Sequence, residues 1–235
     1  MVKTLKLGTL ALAMLLSAQA MAQFSLGFRT GAHFSTIDVP ILDNQDIINF
    51  KPAFNTSIAA IGEYKISQNL SIQPELAYTR KGFIIKEGFE IGGERIPLPV
   101  GIRSDFRLNY IEMPLLMKYA FGQNKVRAYL LAGPNVGYAT SGRFKTRATL
   151  FVDIPINNTK FDLDNLDFNR WEVSGTVGAG MTIDTRGGAL FMDARYTHGL
   201  TDVNQLPIVD LNAKNRGFGV NIGYLINLQG GGTRP

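Results

Sequence analysis

The sequence predicts an all-β protein built as one eight-stranded antiparallel up-and-down barrel. Apolar and polar residues alternate with a period of two over eight segments, as in strands whose two faces meet different surroundings. No stretch sustains the helical period, and the chain contains 25 glycines. Short, turn-like connections alternate with long polar ones along the chain, which places all the long connections at one end of the barrel.

The alternation defines the predicted strands. They are residues 24–35, 53–66, 70–83, 104–121, 126–140, 170–184, 189–199 and 216–228. The long polar connections are residues 37–51, 86–103, 141–167 and 201–215. Each strand has about eleven residues or more, whereas ordinary strands have about five or six, so this fold needs unusually long strands.

Two irregularities interrupt the pattern. Pro74, Pro114 and Pro134 fall inside predicted strands, where each removes a donor from the hydrogen-bond ladder. Phe106 and Leu108 have the parity of the polar positions in the fourth strand. We therefore expect a bulge over residues 109–114 that resets the parity.

The chain begins with the features of a secretory signal peptide. Lys3 and Lys6 form a short basic region, residues 7–16 are an apolar run, and residues 20–22 read Ala-Met-Ala, with small residues where a signal peptidase reads them. The apolar run is too short for a membrane anchor, which takes about 20 residues. We expect cleavage after Ala22.

The composition excludes several classes of function. The chain has no cysteine, which excludes disulfides and thiol catalysis. Without its first 22 residues, which include two lysines, the formal charge falls from +5 to +3, too little to indicate nucleic acid binding. We expect one barrel domain over residues 23–228 and a polar tail over residues 229–235.

Strand length and the sorting of aromatic residues predict that the barrel crosses a membrane. A tilted strand crosses a bilayer in about 9–11 residues, and a closed barrel pairs every backbone group that faces lipid. The alternative is a soluble barrel of the lipocalin type, whose apolar face would be the interior. Aromatic residues on the apolar face lie near the strand ends, as in the girdles at the two bilayer interfaces. The candidate girdle residues are Phe34, Phe54, Tyr78, Tyr138, Trp171, Tyr196 and Phe218 at the long-loop end, and Tyr64, Tyr119 and Phe121 at the short-turn end.

The opposite face of the strands predicts a lumen filled by side chains. It mixes charges of both signs with Gly, Ser, Thr and Asn, so that charges in a narrow interior can pair. The candidate ion-pair network, with the structural role of fixing strand register, consists of Glu75, Glu112, Lys118, Arg127, Arg170, Glu172, Asp193 and Arg195. No residues have metal-ligand spacing, and we expect neither a metal nor a cofactor.

Two neighbouring segments carry a family resemblance. "YIEMPLLMKYAF", followed by a turn and "VRAYLLAGPNVGY", resembles the central signature of the PorT-like outer-membrane β-barrel family of Bacteroidetes-type bacteria. The matching residues are Tyr110, Glu112, Pro114, Leu115, Leu116, Lys118, Tyr119, Gly133 and Pro134. The resemblance implies an outer-membrane barrel. Most members have no assigned function, and the namesake is associated with a system that exports proteins across the outer membrane.

The predicted function is non-enzymatic, a structural or interaction role of an outer-membrane barrel through its long loops. Its expected partners are outer-membrane lipid and, at the loops, another protein. One alternative is a narrow channel for small solutes, for which Gly178, Gly180, Gly217, Gly219 and Gly223 would leave space in the lumen. Another is an accessory subunit of an outer-membrane secretion machine.

A lipid-modifying barrel enzyme is a remote alternative. Such an enzyme needs a nucleophile, a base and an orienting group within reach of each other. The two histidines, His33 and His198, both fall near the long-loop end, where Ser35, Ser174 and Asp202 are also expected. No catalytic motif joins these residues, so the expected role of each histidine is a hydrogen bond at the rim or in the lumen.

Overall fold

The computed structural model confirms the predicted barrel. It describes residues 23–38, 50–91, 98–122, 124–149, 153–161, 170–201 and 214–228. The strands are β1 (Phe24–Asp38), β2 (Phe50–Lys65), β3 (Leu70–Ile91), β4 (Leu98–Phe121), β5 (Val126–Thr149), β6 (Asp153–Phe161), β7 (Trp171–Thr185), β8 (Gly188–Gly199) and β9 (Lys214–Asn227). The expected signal peptide and polar tail, over residues 1–22 and 229–235, lie outside the described residues.

Eight of the strands close into an antiparallel ring. Its order is β1–β2–β3–β4–β5–β7–β8–β9 and back to β1. Each strand of the ring pairs with the next. Strand β6 is not part of the ring and pairs with the C-terminal part of β5. No helix among the described residues is long and apolar enough to cross a membrane.

The strands are staggered around the ring. The partners that follow Phe24 are Tyr64, Ile72, Met117, Ala132, Val177, Tyr196, Phe218 and finally Phe34 on the same strand. The path returns 34 − 24 = 10 residues further along β1, so the barrel has a shear of ten residues. Such a stagger tilts the strands, and an eight-stranded barrel of this kind has an interior that side chains can fill.

The two faces of each strand decide between the membrane barrel and the soluble one. On β7 the outward side chains of Trp171 and Val177 are both 55% exposed, whereas the inward Glu172 and Ser174 are 3% and 1% exposed. Apolar residues therefore face outward and polar residues face inward, which is the reverse of a soluble barrel. The length of β7 follows, because it crosses the lipid band with some residues to spare.

Three strands continue well past the length that a bilayer needs. We expected residues 86–103 and 141–167 to be polar loops, and this was wrong for most of both segments. The structure extends β3 to Ile91, begins β4 at Leu98, extends β5 to Thr149 and adds β6 as an unpredicted strand. Together they form a four-stranded extension of the barrel wall at the long-loop end, called the extension below.

The predicted parity reset in the fourth strand is also wrong. Phe106, Leu108 and Tyr110 are buried and share the inward face with Glu112, so β4 keeps one parity throughout. The register shift lies on the neighbouring strand, where Thr140 of β5 is left unpaired between the partners of Asn109 and Tyr110. The inward apolar residues are accommodated because they lie at the mouth of the barrel, where Phe83 stacks on Phe106 with ring centres 5.3 Å apart.

The three prolines lie in three adjacent strands. Pro74 faces Leu115, Pro114 faces Asn135, and Pro134 faces Gly175. The register is the same before and after each of them, so no bulge accompanies the missing donors.

Candidate functional site

The candidate site is the interior of the barrel, which side chains fill from the short-turn end upward. The first ion-pair cluster joins Lys118 of β4 to Glu63 of β2, with Nζ and Oε2 2.7 Å apart. Lys118 Nζ also lies 4.4 Å from the centre of the Tyr129 ring. A buried ammonium group thus has a carboxylate and an aromatic face as partners, which compensates part of its lost hydration.

A layer of apolar side chains crosses the lumen beside this pair. It consists of Ile61, Leu116, Ala120, Tyr129, Leu131, Phe191 and Leu225, all buried. Glycines on β7 and β9 make room for the two rings. A Cβ on Gly180 would lie 2.7 Å from Tyr129 Cζ, and one on Gly223 would lie 2.4 Å from Phe191 Cζ. These glycines were expected to leave open space for a channel, but the space is occupied by aromatic rings.

The second ion-pair cluster contains two arginines and two carboxylates. Glu75 accepts from Arg29 Nε at 2.8 Å and from Arg195 Nη1 at 2.9 Å. Arg195 also donates from Nε to Asp193 Oδ1 at 2.8 Å, and Tyr129 Oη donates to Asp193 Oδ2 at 3.0 Å. The charges balance, and the cluster joins strands β1, β3, β5 and β8 across the lumen.

The third cluster lies toward the long-loop end and has one cation between two carboxylates. Lys81 Nζ is 2.8 Å from Glu112 Oε1 and 2.7 Å from Glu172 Oε1. Asn135 donates to Glu112 at 3.1 Å, and Asn215 donates to Glu172 at 2.7 Å. The two amides supply the donors that a single ammonium group cannot, because each carboxylate can accept several hydrogen bonds.

The eight residues predicted as one network are therefore divided. Glu75, Asp193 and Arg195 come together, as do Glu112 and Glu172, whereas Lys118 pairs with Glu63 rather than with Glu112. Arg127 and Arg170 have other partners. Arg127 pairs with Asp184 at 3.0 Å near the short turns, and Arg170 donates to Tyr138 Oη at 3.2 Å near the long-loop end.

Sequence reasoning left three central residues out of the predicted network, namely Arg29, Glu63 and Lys81. Each lies on the polar parity of a predicted strand, so the signal for an inward position was present. What was missing was the partner, because Arg29 and Glu75 meet only in the closed barrel, 46 residues apart in the chain.

The predicted girdle residues all lie on the outward face. Three aromatic pairs lie edge-on along it, Phe34–Phe54, Tyr119–Phe121 and Tyr138–Trp171, with ring centres 5.5, 5.0 and 5.0 Å apart. Tyr64, Tyr78, Tyr196 and Phe218 are exposed on the same face. Rings at both ends of an apolar band are typical of barrels anchored at the two interfaces.

Two cavities lie at different levels of the lumen and share no lining residue. The larger, of about 80 Å³, lies toward the long-loop end beside Arg29, Thr79 and Glu112. The smaller, of about 30 Å³, lies toward the short turns beside Glu63 and Lys118. On β4, Leu116 of the apolar layer lies between Lys118, which lines the smaller cavity, and Glu112, which lines the larger, so apolar side chains lie between the two cavities.

The candidate catalytic residues do not form a triad among the residues that the structure describes. His33 Nε2 bonds the backbone oxygen of Arg80 at 2.7 Å, and Ser35 Oγ bonds the backbone of Gly82. Ser174 accepts from Asn135 at 3.2 Å, and His198 lies with its ring against Tyr196. Asp202 lies outside the described residues.

Comparison with known structures returns outer-membrane barrels of low sequence identity. Neisserial surface protein A is 15% identical with a TM-score of 0.43, covering 86% of this chain and 97% of its own. Ail of Yersinia pestis, solved with the heparin analogue sucrose octasulfate, is 14% identical with a TM-score of 0.38, covering 87% and 99%. OprG of Pseudomonas aeruginosa is 14% identical with a TM-score of 0.40, covering 88% and 97%.

Comparison with protein families gives a match to most of the chain. No curated protein sequence matches it. The profile of one family, described as "Outer membrane protein beta-barrel domain", matches residues 17–205. A match of this extent agrees with the closed ring and its outward apolar face, and it places the protein in the outer membrane. The chain belongs to the outer membrane protein beta-barrel domain family.

Proposed function

We propose that this protein is a non-enzymatic outer-membrane barrel that acts through its extension and loops and not through its lumen. In outer-membrane barrels the short turns face the periplasm and the long connections face the outside. The extension would therefore project beyond the outer leaflet. Strands β3, β4 and β5, with 22, 24 and 24 residues, are about twice as long as a bilayer crossing requires.

The single observation that carries this proposal is the filled lumen. Three ion-pair clusters and the apolar layer occupy successive levels of the interior, and each cluster joins strands that are far apart in the chain. Opening a path would separate buried charges from their partners, at a cost of several kcal/mol for each pair. A barrel with a filled lumen is rigid and can hold the extension and the long loops in fixed positions.

A narrow channel is the second candidate, because cavities are present toward both ends of the lumen. Conduction would require the apolar layer, with Leu116, Tyr129 and Phe191, to move aside. The resemblance to PorT-like proteins supports a third candidate, an accessory subunit of a secretion machine, and this candidate also acts through the exposed end of the barrel.

The test is purification of the tagged protein from its native outer membrane in mild detergent, in two forms. One form is the full chain. In the other, residues 86–103 are replaced by Asn-Gly, which joins Ile85 to its cross-strand partner Ser104 through a two-residue turn. We expect a partner in stoichiometric amount with the full chain that is absent from the trimmed form. A chain that purifies alone in both forms, or a partner that both retain, contradicts a role for the extension.

The matched control is the double variant Lys125→Gln/Arg186→Gln. Both residues are exposed at the short-turn end, opposite the extension. We expect this variant to retain the partner, because its surface at the long-loop end, including the extension, is unchanged.

A further inference from the structure

The outer face of the extension carries a concentration of positive charge. The cations are Arg80, Arg103, Arg107, Arg143, Lys145 and Arg147, called the basic patch below. Arg107 faces Arg143 across the β4–β5 ladder, Arg103 faces Arg147, and Arg80 Nε donates to Asn109 Oδ1 at 3.1 Å. Cross-strand partners lie on the same face of a sheet, so the six side chains share one surface.

The described side chains of β3, β4 and β5 compensate only a small part of the charge of the basic patch. Over residues 80–85, 103–109 and 141–148, Asp105 is the one carboxylate on this face, and it pairs with Arg103 at 3.3 Å. Arg107 Nε is buried and has no hydrogen-bond partner among the described residues. Like charges directly opposite each other destabilise a sheet, so the Arg107–Arg143 pair costs stability unless an anion lies between them.

The basic patch begins where the lipid-facing band ends. On β3, Arg80 follows the exposed Tyr78 by two residues on the same face, and on β4, Arg107 lies four residues beyond the exposed Ile111. At about 3.4 Å per residue, these distances are roughly 7 and 14 Å along tilted strands. The polar headgroup layer adds about 5–7 Å on each side of the hydrocarbon core. Arg80 therefore lies at headgroup height, Arg107 lies a few ångströms above it within reach of its long side chain, and Arg103, eight residues beyond Ile111, lies further out.

We propose that the basic patch binds the phosphate groups of the lipid in the outer leaflet. Guanidinium groups match phosphate oxygens through paired N–H donors, and an arginine pair facing each other can hold one phosphate between them. A phosphorylated headgroup beside the wall would remove the repulsion between Arg107 and Arg143. This inference uses the outer-membrane location of the barrel and is independent of any protein partner.

The test compares stability in the presence of a phosphorylated lipid and of the same lipid without phosphate. The purified full chain is mixed in neutral detergent with diphosphorylated lipid A or with its dephosphorylated form. Unfolding on heating is followed by the mobility shift of the unheated barrel on a gel. We expect the phosphorylated lipid to raise Tm by about 5 °C and the dephosphorylated lipid to leave it unchanged.

Two variants with the same loss of charge provide the contrast. Arg107→Gln/Arg143→Gln removes the facing arginines, and Lys125→Gln/Arg186→Gln removes two cations at the other end of the barrel. Without phosphorylated lipid, we expect the first variant to be at least as stable as the natural protein, because the repulsion is gone. In the presence of phosphorylated lipid, we expect the first variant to bind the lipid about 25-fold more weakly, because each lost cation costs about fivefold. We expect the second variant to bind it as the natural protein does.

Three results would overturn the proposal. One is equal stabilisation by the lipid with and without phosphate. Another is an equal loss of binding in both variants, which would reflect net charge alone. The third is equal stabilisation by inorganic phosphate at the same concentration, which would make the patch a site for free anions.

Discussion

The face of the barrel wall on which a position lies, inner or outer, determines which type of residue occurs there. In the part of the barrel that crosses the lipid band, an inward position takes a charge with a partner, a small polar residue, a glycine beside a ring or a side chain of the apolar layer, and most outward positions take apolar side chains. The strictest requirement concerns Lys81, because it is the one cation that contacts both Glu112 and Glu172 among the described residues.

Replacing Lys81 tests the third cluster. We expect Lys81→Met to lower the free energy of unfolding by about 3–5 kcal/mol, because two buried carboxylates lose their cation. Glu112→Gln should cost about 1 kcal/mol or less, since Lys81 keeps Glu172 and the amide oxygen of the new side chain still accepts hydrogen bonds. Urea unfolding in detergent, followed by the gel mobility of the unheated barrel, measures both. Equal losses in the two variants would contradict the asymmetry of the cluster.

A glycine pair on β7 tests the packing of the apolar layer. A Cβ on Gly180 would lie 2.4 Å from the Met192 carbonyl oxygen and 2.7 Å from Tyr129 Cζ, whereas nothing lies within 4 Å of a Cβ on Gly175. We therefore expect Gly180→Ala to lose about 1–3 kcal/mol and Gly175→Ala to be close to neutral. Thermal unfolding of the two variants side by side gives the answer, and an unaffected Gly180→Ala would mean that the lumen is loosely packed.

The sequence predicts the direction of these side chains but not their partners. The period of two places Arg29, Glu63 and Lys81 on the polar face. Their partners depend on the stagger of ten residues around the ring, which no single turn encodes. Lys118 therefore meets Glu63, 55 residues away, although Glu112 lies closer in the chain.

At the scale of elements, the short turns were predicted well, whereas two of the long connections, residues 86–103 and 141–167, were not. The predicted strand ends at the short-turn end agree with the structure within one or two residues, because polar and glycine-rich turns interrupt the alternation there. On β3 the alternation fails as a signal where the extension begins. Phe83 and Ile84 are consecutive apolar residues on opposite faces and both are buried, so no polar face marks this part of β3.

The trimmed chain, with residues 86–103 replaced by Asn-Gly, tests how much of the wall the barrel needs. We expect it to insert in the membrane and to retain the mobility shift of a folded barrel. The reason is that the residues of β3 and β4 that remain exceed the 9–11 or so residues that span a bilayer. Recovery of the trimmed chain in aggregates, with folding restored by the full extension, would show that the extension is part of the folding unit.

At the scale of the whole molecule, the shear of ten residues and the filled lumen belong together. Eight tilted strands enclose an interior that side chains can close completely, and the clusters then connect opposite walls as cross-links. The rings of Tyr129 and Phe191 pack against glycines of β7 and β9, where a side chain would clash with them. The side chains of such a barrel fill its lumen, and we propose that the extension carries its interactions.

The most direct test of this account is the electrical conductance of the purified, folded protein in planar lipid bilayers. Insertion is verified by the gel mobility of protein recovered from the same bilayer-forming vesicles. We predict no conductance steps over a physiological range of voltage, because the apolar layer separates the two cavities. Reproducible single-channel steps from the natural protein, lost after boiling, would show a continuous wet path and contradict the sealed lumen.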